Sequence, residues 1–464
     1  MLSIISDIHL SDGTTAFNVH KDAFLEIYKN NVINSVKDNE VKELKLILLG
    51  DILDFVRTDY WIPLDRDEKP WNGKLAPETA MNNNTALMKQ HYTKVLNNIF
   101  NDPYGSTQAF FDALNQIKDE IRNIPQFANL PIEIRYIIGN HDRILNVFPE
   151  LTKMISDKLS SYNENEVIFE NEFRGNDYTI LCRHGHEYDE NNYGKELYAY
   201  LNKLNSDKIN RFEKYLYAVQ SIGEVITAEL MSGIVYRLGK NGVDQKFIDA
   251  VKDINNIRPM TDAFLWLYWY AGEVSNEKNK RELMSAFKKS IEAVIDSELG
   301  KAWDNLVREV WYFKGDITDR FEQLLDFIKK KSFDDVKNII DFLKPVFSFV
   351  SGKSVDEYAR GAKSAFASGA LRDYQYIVMG HTHQALHEYL KGNVDGWVNM
   401  YINTGTYLPY IGKIQIGSQV SFSNANQMTL LNVFKKDEDR SNDKDNIYPT
   451  LDLWNGIKIK KYNL

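Results

Sequence analysis

The chain has 464 residues, 43% hydrophobic and 26% charged, a soluble globular balance that suits one large domain with insertions or two to three domains. Its formal net charge of −9 excludes a global basic field for nucleic acid or an anionic membrane, though not a local basic groove. A lone cysteine, Cys182, excludes an internal disulfide and fits a reducing compartment.

The first residues carry neither a basic region nor a long apolar one, so no secretory signal is expected. The most apolar later patch, 263–271, is too short to span a bilayer. The expectation is a cytoplasmic protein with no membrane span.

Residues 2–6 form a short apolar strand ending at Asp7-Ile8-His9. Phe24, Ile27, Tyr28, Val32 and Val36 fall at helical spacing and predict a helix over 17–36. Leu44–Leu49 is a near-continuous apolar run, the mark of a strand buried on both faces, and it ends at Gly50-Asp51-Ile52-Leu53-Asp54. Strand, helix and strand in this order make a βαβ unit. Residues 57–77, with Trp61, Pro63, Pro70, Trp71, Gly73 and Pro77, show no period and read as an ordered loop. With the helical stretches 85–100 and 106–121, they form a loop and helical lid insertion over 57–125. A strand over 132–138 ends at Gly139-Asn140-His141-Asp142, and a helix is expected over 149–159. Residues 166–173 and 178–182 read as a strand pair around the turn signal Gly175-Asn176-Asp177, ending at Arg183-His184-Gly185-His186.

The period then changes. Phe212, Leu216, Val219, Ile222, Ile226, Leu230 and Ile234 mark one amphipathic helix, and 332–350 another, with Pro345 kinking or ending it. No strand is expected between 191 and 370, which reads as an all-helical insertion. Its aromatics, Tyr198, Tyr215, Trp266, Trp269, Trp311 and Tyr312, fit a core more simply than a substrate box. Lys329-Lys330-Lys331 is most simply a solvated helix end. Strand character returns at Tyr376–Met379, 397–402 and 429–434. A charged loop follows over 435–446, then a terminal strand pair over 451–462 around Asn455-Gly456.

Five of these strands end in a polar cluster, and six of the nine histidines lie in the clusters. Ligands of open α/β sheets gather at the carboxyl ends of strands. Singly, each cluster is as well explained by a turn; five accidents at one edge are not credible. Carboxylate, imidazole and amide oxygen are ligands for Mn²⁺, Fe²⁺ or Zn²⁺, and the lack of thiolate argues against a structural zinc site. Seven candidate ligands exceed one ion's needs, so the set suggests two metals with a bridging carboxylate, an arrangement suited to hydrolysis at phosphorus.

The series D-x-H, G-D, G-N-H-D, H and G-H-x-H resembles the calcineurin-like metallophosphoesterases over residues 1–190 and 371–464. The resemblance implies an α/β fold of two mixed β-sheets packed face to face with flanking helices. It implies a dinuclear centre, manganese first, with iron or zinc as alternatives. Asp7, His9 and His383 would hold the first metal, and Asn140, His184 and His381 the second, with Asp51 bridging. His141 would be general acid or charge stabiliser, with Asp142 orienting its imidazole. Asn403-Thr404-Gly405 resembles a segment that often follows the last motif.

Arg143 and Arg57 could clamp phosphate oxygens, or be ordinary exposed arginines. His186 is either a substrate contact or a hydrogen-bonding support behind the ligands. Asp54 orients a ligand or caps the following segment. Cys182 reads as a buried small hydrophobe. The insertion over 191–370 would stand over the site as a cap. The expected activity is phosphatase or phosphodiesterase action on a nucleotide-like or other small to medium substrate. A nuclease is the alternative within enzymes, and a non-catalytic metal-binding or scaffold protein the alternative outside them.

Overall fold

The computed structural model describes residues 1–72, 85–258, 262–274, 276–310, 373–392, 398–416, 419–441 and 448–461. Two mixed sheets carry the fold. In the first, β1 (Leu2–Ile5), β2 (Leu44–Leu49), β3 (Ile132–Ile137) and β4 (Val167–Glu170) are parallel neighbours. The second runs β5 (Glu172–Gly175), β6 (Ile180–Arg183), β8 (Tyr376–Met379), β10 (Val398–Thr404) and β9 (Ala385–Gly392), with β6, β8 and β10 parallel.

Alternation along the strands builds two cores, because successive side chains point to opposite faces. Ile47 and Leu49 of β2, with Leu2, Ile4 and Ile137, meet Ile180, Cys182, Val378 and Ile402 of the second sheet. Leu46 and Leu48 face the other way, into a helical layer with Val32, Leu96, Phe110, Leu114 and Ile155. Each such buried side chain contributes about 1.5–3 kcal/mol of transfer free energy. The helices Lys29–Asp38, Ala86–Phe100, Ser106–Arg122 and Pro149–Lys158 supply this layer. Thr85 caps the second of them by accepting from Met88 N at 3.1 Å.

The predicted strand over 166–173 is two strands in different sheets, with only Asn171 between them. The turn after it is as expected: β5 and β6 pair antiparallel around Asn176–Tyr178. The helix predicted from 17 begins at Ala23, since Asn18 is held back by Ser11 through three hydrogen bonds. The terminal strand pair is instead one strand, β13 (Thr450–Lys461). Asn455 and Gly456 stay in its ladder because β12 (Gln419–Phe434) offers a partner at every step. The opposite edge of β12 is shared end to end by β1 and β11 (Pro409–Ile416).

Among the described residues, 191–310 is helical but for β7 (Ile257–Arg258), which pairs parallel with β11 and corrects the strand-free expectation. The single helix expected over 212–234 is broken at 219–221 and resumes at Ile222. Lys214–Lys240 has the length and hydropathy of a membrane span, but 89% of its most apolar window is buried inside the fold. Trp266 is buried, Trp269 packs against the core, and Tyr215 is exposed. The predicted helix over 332–350, the lysines at 329–331, Trp311, Tyr312 and Trp397 lie outside the described residues.

Candidate metal centre

The loops leaving β1, β2, β3, β6 and β8 meet at one rim. They stay laced beyond the strands: Asp7 N donates to Gly50 O at 3.1 Å, His9 N to Asp51 O at 2.9 Å, and Gly380 N to His184 O at 2.9 Å. Among the described residues, five of the seven non-glycine residues with positive φ are here: Asp7, His9, Asp51, His381 and His383, between +50° and +69°. Such backbone conformations cost of order 1–3 kcal/mol each and persist where the surroundings impose them, commonly at functional sites. Two glycines let the loops close up. A Cβ on Gly139 would collide with the Asp51 carboxylate, and one on Gly380 with that of Asp7.

Asp7, His9 and His383 form one group of converging ligand atoms, and Asp51, His184 and His381 a second, each within 4.8 Å. In the first, His9 Nε2 lies 3.0 Å from His383 Nε2, and Asp7 Oδ1 lies 3.5 Å from the latter. In the second, His184 Nε2 lies 3.2 Å from both Asn140 Oδ1 and Asp51 Oδ2. Asp51 Oδ2 also approaches His9 Nε2, at 3.7 Å, so one carboxylate oxygen faces both groups.

The outer ring nitrogens fix the tautomers. His184 Nδ1–H donates to Leu49 O at 3.0 Å, His9 Nδ1–H to Asp54 Oδ2 at 2.9 Å, and His381 Nε2–H to Asp189 Oδ2 at 3.1 Å. A carboxylate or carbonyl at one nitrogen leaves a lone pair on the other, the usual support for a metal-binding histidine. His383 differs: its Nδ1 faces a donor, Arg258 Nη2, at 2.6 Å.

The electrostatics differ between the two groups: burial works against a charge on His184, but Asp51 and Asp7 outweigh it and lift the imidazole to about 10, whereas the first group's histidines are pushed down. Burial, reinforced by Arg57, pushes His9 down to about 3; burial and Arg258 hold His383 well below its usual range. Neutral His9, with its proton on Nδ1 toward Asp54, keeps a lone pair on Nε2. Burial raises Asp7 to about 6, against the pull of His184. Burial also opposes ionisation of Asp51, but His184 and His141 hold its carboxyl well below the ordinary value. The donor chemistry, the tautomers and the strained loops all fit divalent metal binding, so these buried His/Asp clusters can hold a metal ion.

His141 N donates to Asp51 Oδ1 at 2.8 Å. Its Nδ1 lies 3.0 Å from Asp54 Oδ2, and its side chain keeps 13% exposure where His9 has none. Asp142 does not orient it. The Asp142 carboxylate accepts from Ile52 N, Gly139 N and Tyr136 Oη, at 3.1, 2.6 and 2.7 Å, and so braces the loop. Asp54 takes the orienting position instead. Its Oδ1 accepts from Val56 N and Arg57 N, so it also caps the following segment.

Arg143 is engaged elsewhere: Nε and Nη2 donate to Glu224 at 2.7 and 2.8 Å, and Nη1 to Ala218 O at 2.7 Å. A phosphate clamp by Arg143 would have to displace that pair. Arg57 is buried, with Nε 3.1 Å from Asp54 Oδ2. His186 is buried edge-on to Tyr193 and Tyr217, and its Nδ1 has no hydrogen-bond partner among the described residues. Cys182 is buried, and burial pushes its thiol up. Asn403 Nδ2 donates to Gly380 O at 2.6 Å and steadies the last loop.

Sequence reasoning missed three contributors. Asp189 had a readable signal, lying five residues after His184 in one short loop. Arg258 and Gln427, which donates to His383 O at 2.7 Å, arrive from distant strands and had none. Comparison with protein-family models and with curated protein sequences finds no match for this chain.

Proposed function

We propose that the chain is a metal-dependent phosphoester hydrolase of the calcineurin-like type, acting on a small or medium phosphorylated substrate. The observation that carries the reading is Asp51 Oδ2, which lies 3.2 Å from His184 Nε2 in one ligand group and 3.7 Å from His9 Nε2 in the other. A carboxylate so placed suits a bridge between two ions. Asp7, His9 and His383 would hold one, and Asn140, His184 and His381 the other. Two divalent ions, manganese first and iron or zinc as alternatives, would supply Lewis-acid polarisation of the phosphoryl oxygens and an acidified water.

The protein's own groups do the rest. Asp54 Oδ2 stands 3.0 Å from His141 Nδ1 as an ion-pair partner, which leaves Nε2 for the leaving-group oxygen. Burial lowers the His141 pKa, but Asp54 and Asp51 outweigh it and the net shift is upward. That direction favours the protonated imidazole that a departing alcohol would need. The tautomer locks on His9, His184 and His381 keep the ligand lone pairs aimed inward with no reorganisation.

The test is a panel of phosphomonoesters, phosphodiesters, nucleotide sugars and single-stranded DNA, each with added Mn²⁺ and with chelator. Hydrolysis of small phosphoesters that needs Mn²⁺ and stops with chelator is the expected result. Hydrolysis untouched by chelation would overturn the metal argument, and activity on DNA alone would favour the nuclease.

A further inference from the structure

β13 is an edge of the first sheet. One side of it pairs with β12 from Thr450 to Lys461, and among the described residues nothing pairs with the other. A long edge strand presents a row of N–H and C=O groups, a template for another strand unless a proline or a bulge blunts it. Its ladder to β12 runs without a register shift, and the nearest proline, Pro449, lies before its first residue.

The two faces of β13 carry apolar surface into solvent. Leu451 and Leu453 pack against the core between the sheets, and the same face runs on to Ile457, which is 56% exposed. On the other face Trp454 is 41% exposed, and its ring lies along Gly456, where a Cβ would come within 2.5 Å of it. Asp452 shares that face with Trp454. Burial and then the like charge of Asp439 raise its carboxyl.

Which strand fits this edge follows from the sequence of β13 itself. In an antiparallel pair, opposite residues point to the same face. A two-fold axis normal to the sheet must therefore pass through a residue, not between two. With the axis at Asn455, Leu453 stands opposite the partner's Ile457, and Leu451 opposite the partner's Ile459. On the other face Asp452 stands opposite the partner's Lys458, and Trp454 opposite the partner's Gly456. Symmetry makes each pair twice. Shifting the axis to Gly456 sets Ile457 against Asn455 and Trp454 against Lys458, and shifting it to Trp454 sets Asp452 against Gly456. Of these three registers only the first suits both faces, and matching of both faces is what specifies a strand pairing.

We propose that two copies of this chain join through β13, antiparallel and with the two-fold axis at Asn455, so that their first sheets run into one. The proposal is independent of the hydrolase reading.

The test follows the full chain by sedimentation across a wide concentration range, where a reversible species of twice the chain mass is expected. Asp452→Lys sets a lysine against Lys458 and should weaken the dimer about tenfold. Lys458→Asp should do the same, and the double exchange should restore the dimer. Asn455→Cys meets itself across the axis and should cross-link on mild oxidation, whereas Asp452→Cys, far from its own copy, should not. Cys182 is buried and gives no background. A chain that stays monomeric throughout would overturn the proposal. So would a dimer indifferent to both charge reversals, or one that links at 452 and not at 455, either of which would place the interface elsewhere.

Discussion

Asp54 divides its carboxylate between two tasks. Oδ1 accepts from Val56 N and Arg57 N at 2.9 and 2.8 Å, while Oδ2 meets His9 Nδ1 at 2.9 Å and His141 Nδ1 at 3.0 Å. Burial works against its ionisation, but His141 and Arg57 hold it well below the usual carboxylate range. Asp54→Asn keeps the shape and an oxygen for the turn, yet loses the charge that fixes both imidazoles. Metal affinity or turnover should fall about 10–100-fold, the usual cost of losing a partner behind a ligand, with the melting temperature little changed. Metal titration and a thermal scan of the variant check this, and full affinity with full turnover would refute the role. The sequence could not choose between orienting and capping for Asp54, because both need a carboxylate at that position. The family resemblance assigned Asp142 to His141, but adjacent side chains point apart, and Asp142 turned inward to three donors.

At the scale of elements, Glu224 fastens the helical block to the loop that carries Asn140 and His141. Its Oε1 closes a capping box with Ser221 at the start of the helix, and both oxygens take the Arg143 guanidinium. Both side chains are buried, with 5% and 7% exposure, so neither charge is well solvated without the other. Breaking a buried pair from one side costs about 3–5 kcal/mol. Glu224→Ala should therefore lower unfolding free energy by about that amount, measured by denaturant melts; a loss under about 1 kcal/mol would show the pair to be weak. Ser221-Ile222-Gly223-Glu224 has the spacing of a capping box, but the apolar spacing continues across Val219 and hid the break before it. β7 was not readable at all. Two residues have no period, and the edge of β11 imposes their extended shape. β9 and β11 went unseen for a related reason: their polar, partly exposed stretches are held by long-range pairing rather than by local alternation.

Over the whole molecule, the strand-end motifs were legible because each is a local pattern with a fixed position in its loop. Which histidine meets which was not, since His9 and His383 stand 374 residues apart and only the sheet order brings them together. The same sheet order builds a second junction at the opposite ends of the strands. Glu43, just before β2, accepts from Lys435 at 2.8 Å and from Tyr178 Oη at 3.2 Å, while Lys435 also reaches Asp177 at 3.2 Å. Lys435 follows β12, and Asp177 and Tyr178 lie in the turn between β5 and β6, so the cluster clamps one sheet to the other. Burial raises the Glu43 pKa, but Lys435 and Lys45 overcome it and bring it to about 2, from the ordinary 4.5. A carboxyl depressed on folding stabilises above its unfolded pKa, and that stabilisation is lost as pH falls from about 4.5 toward about 2. The group is partly exposed, so solvent and salt reduce the effect. Glu43→Gln should therefore be less stable than wild type near neutral pH and converge with it as pH falls to about 2. Denaturant midpoints of the two proteins across that range, at low and high salt, measure the difference. A gap that stays constant down to the lowest pH would mean that packing, not the Glu43 charge, holds the two sheets together at this end.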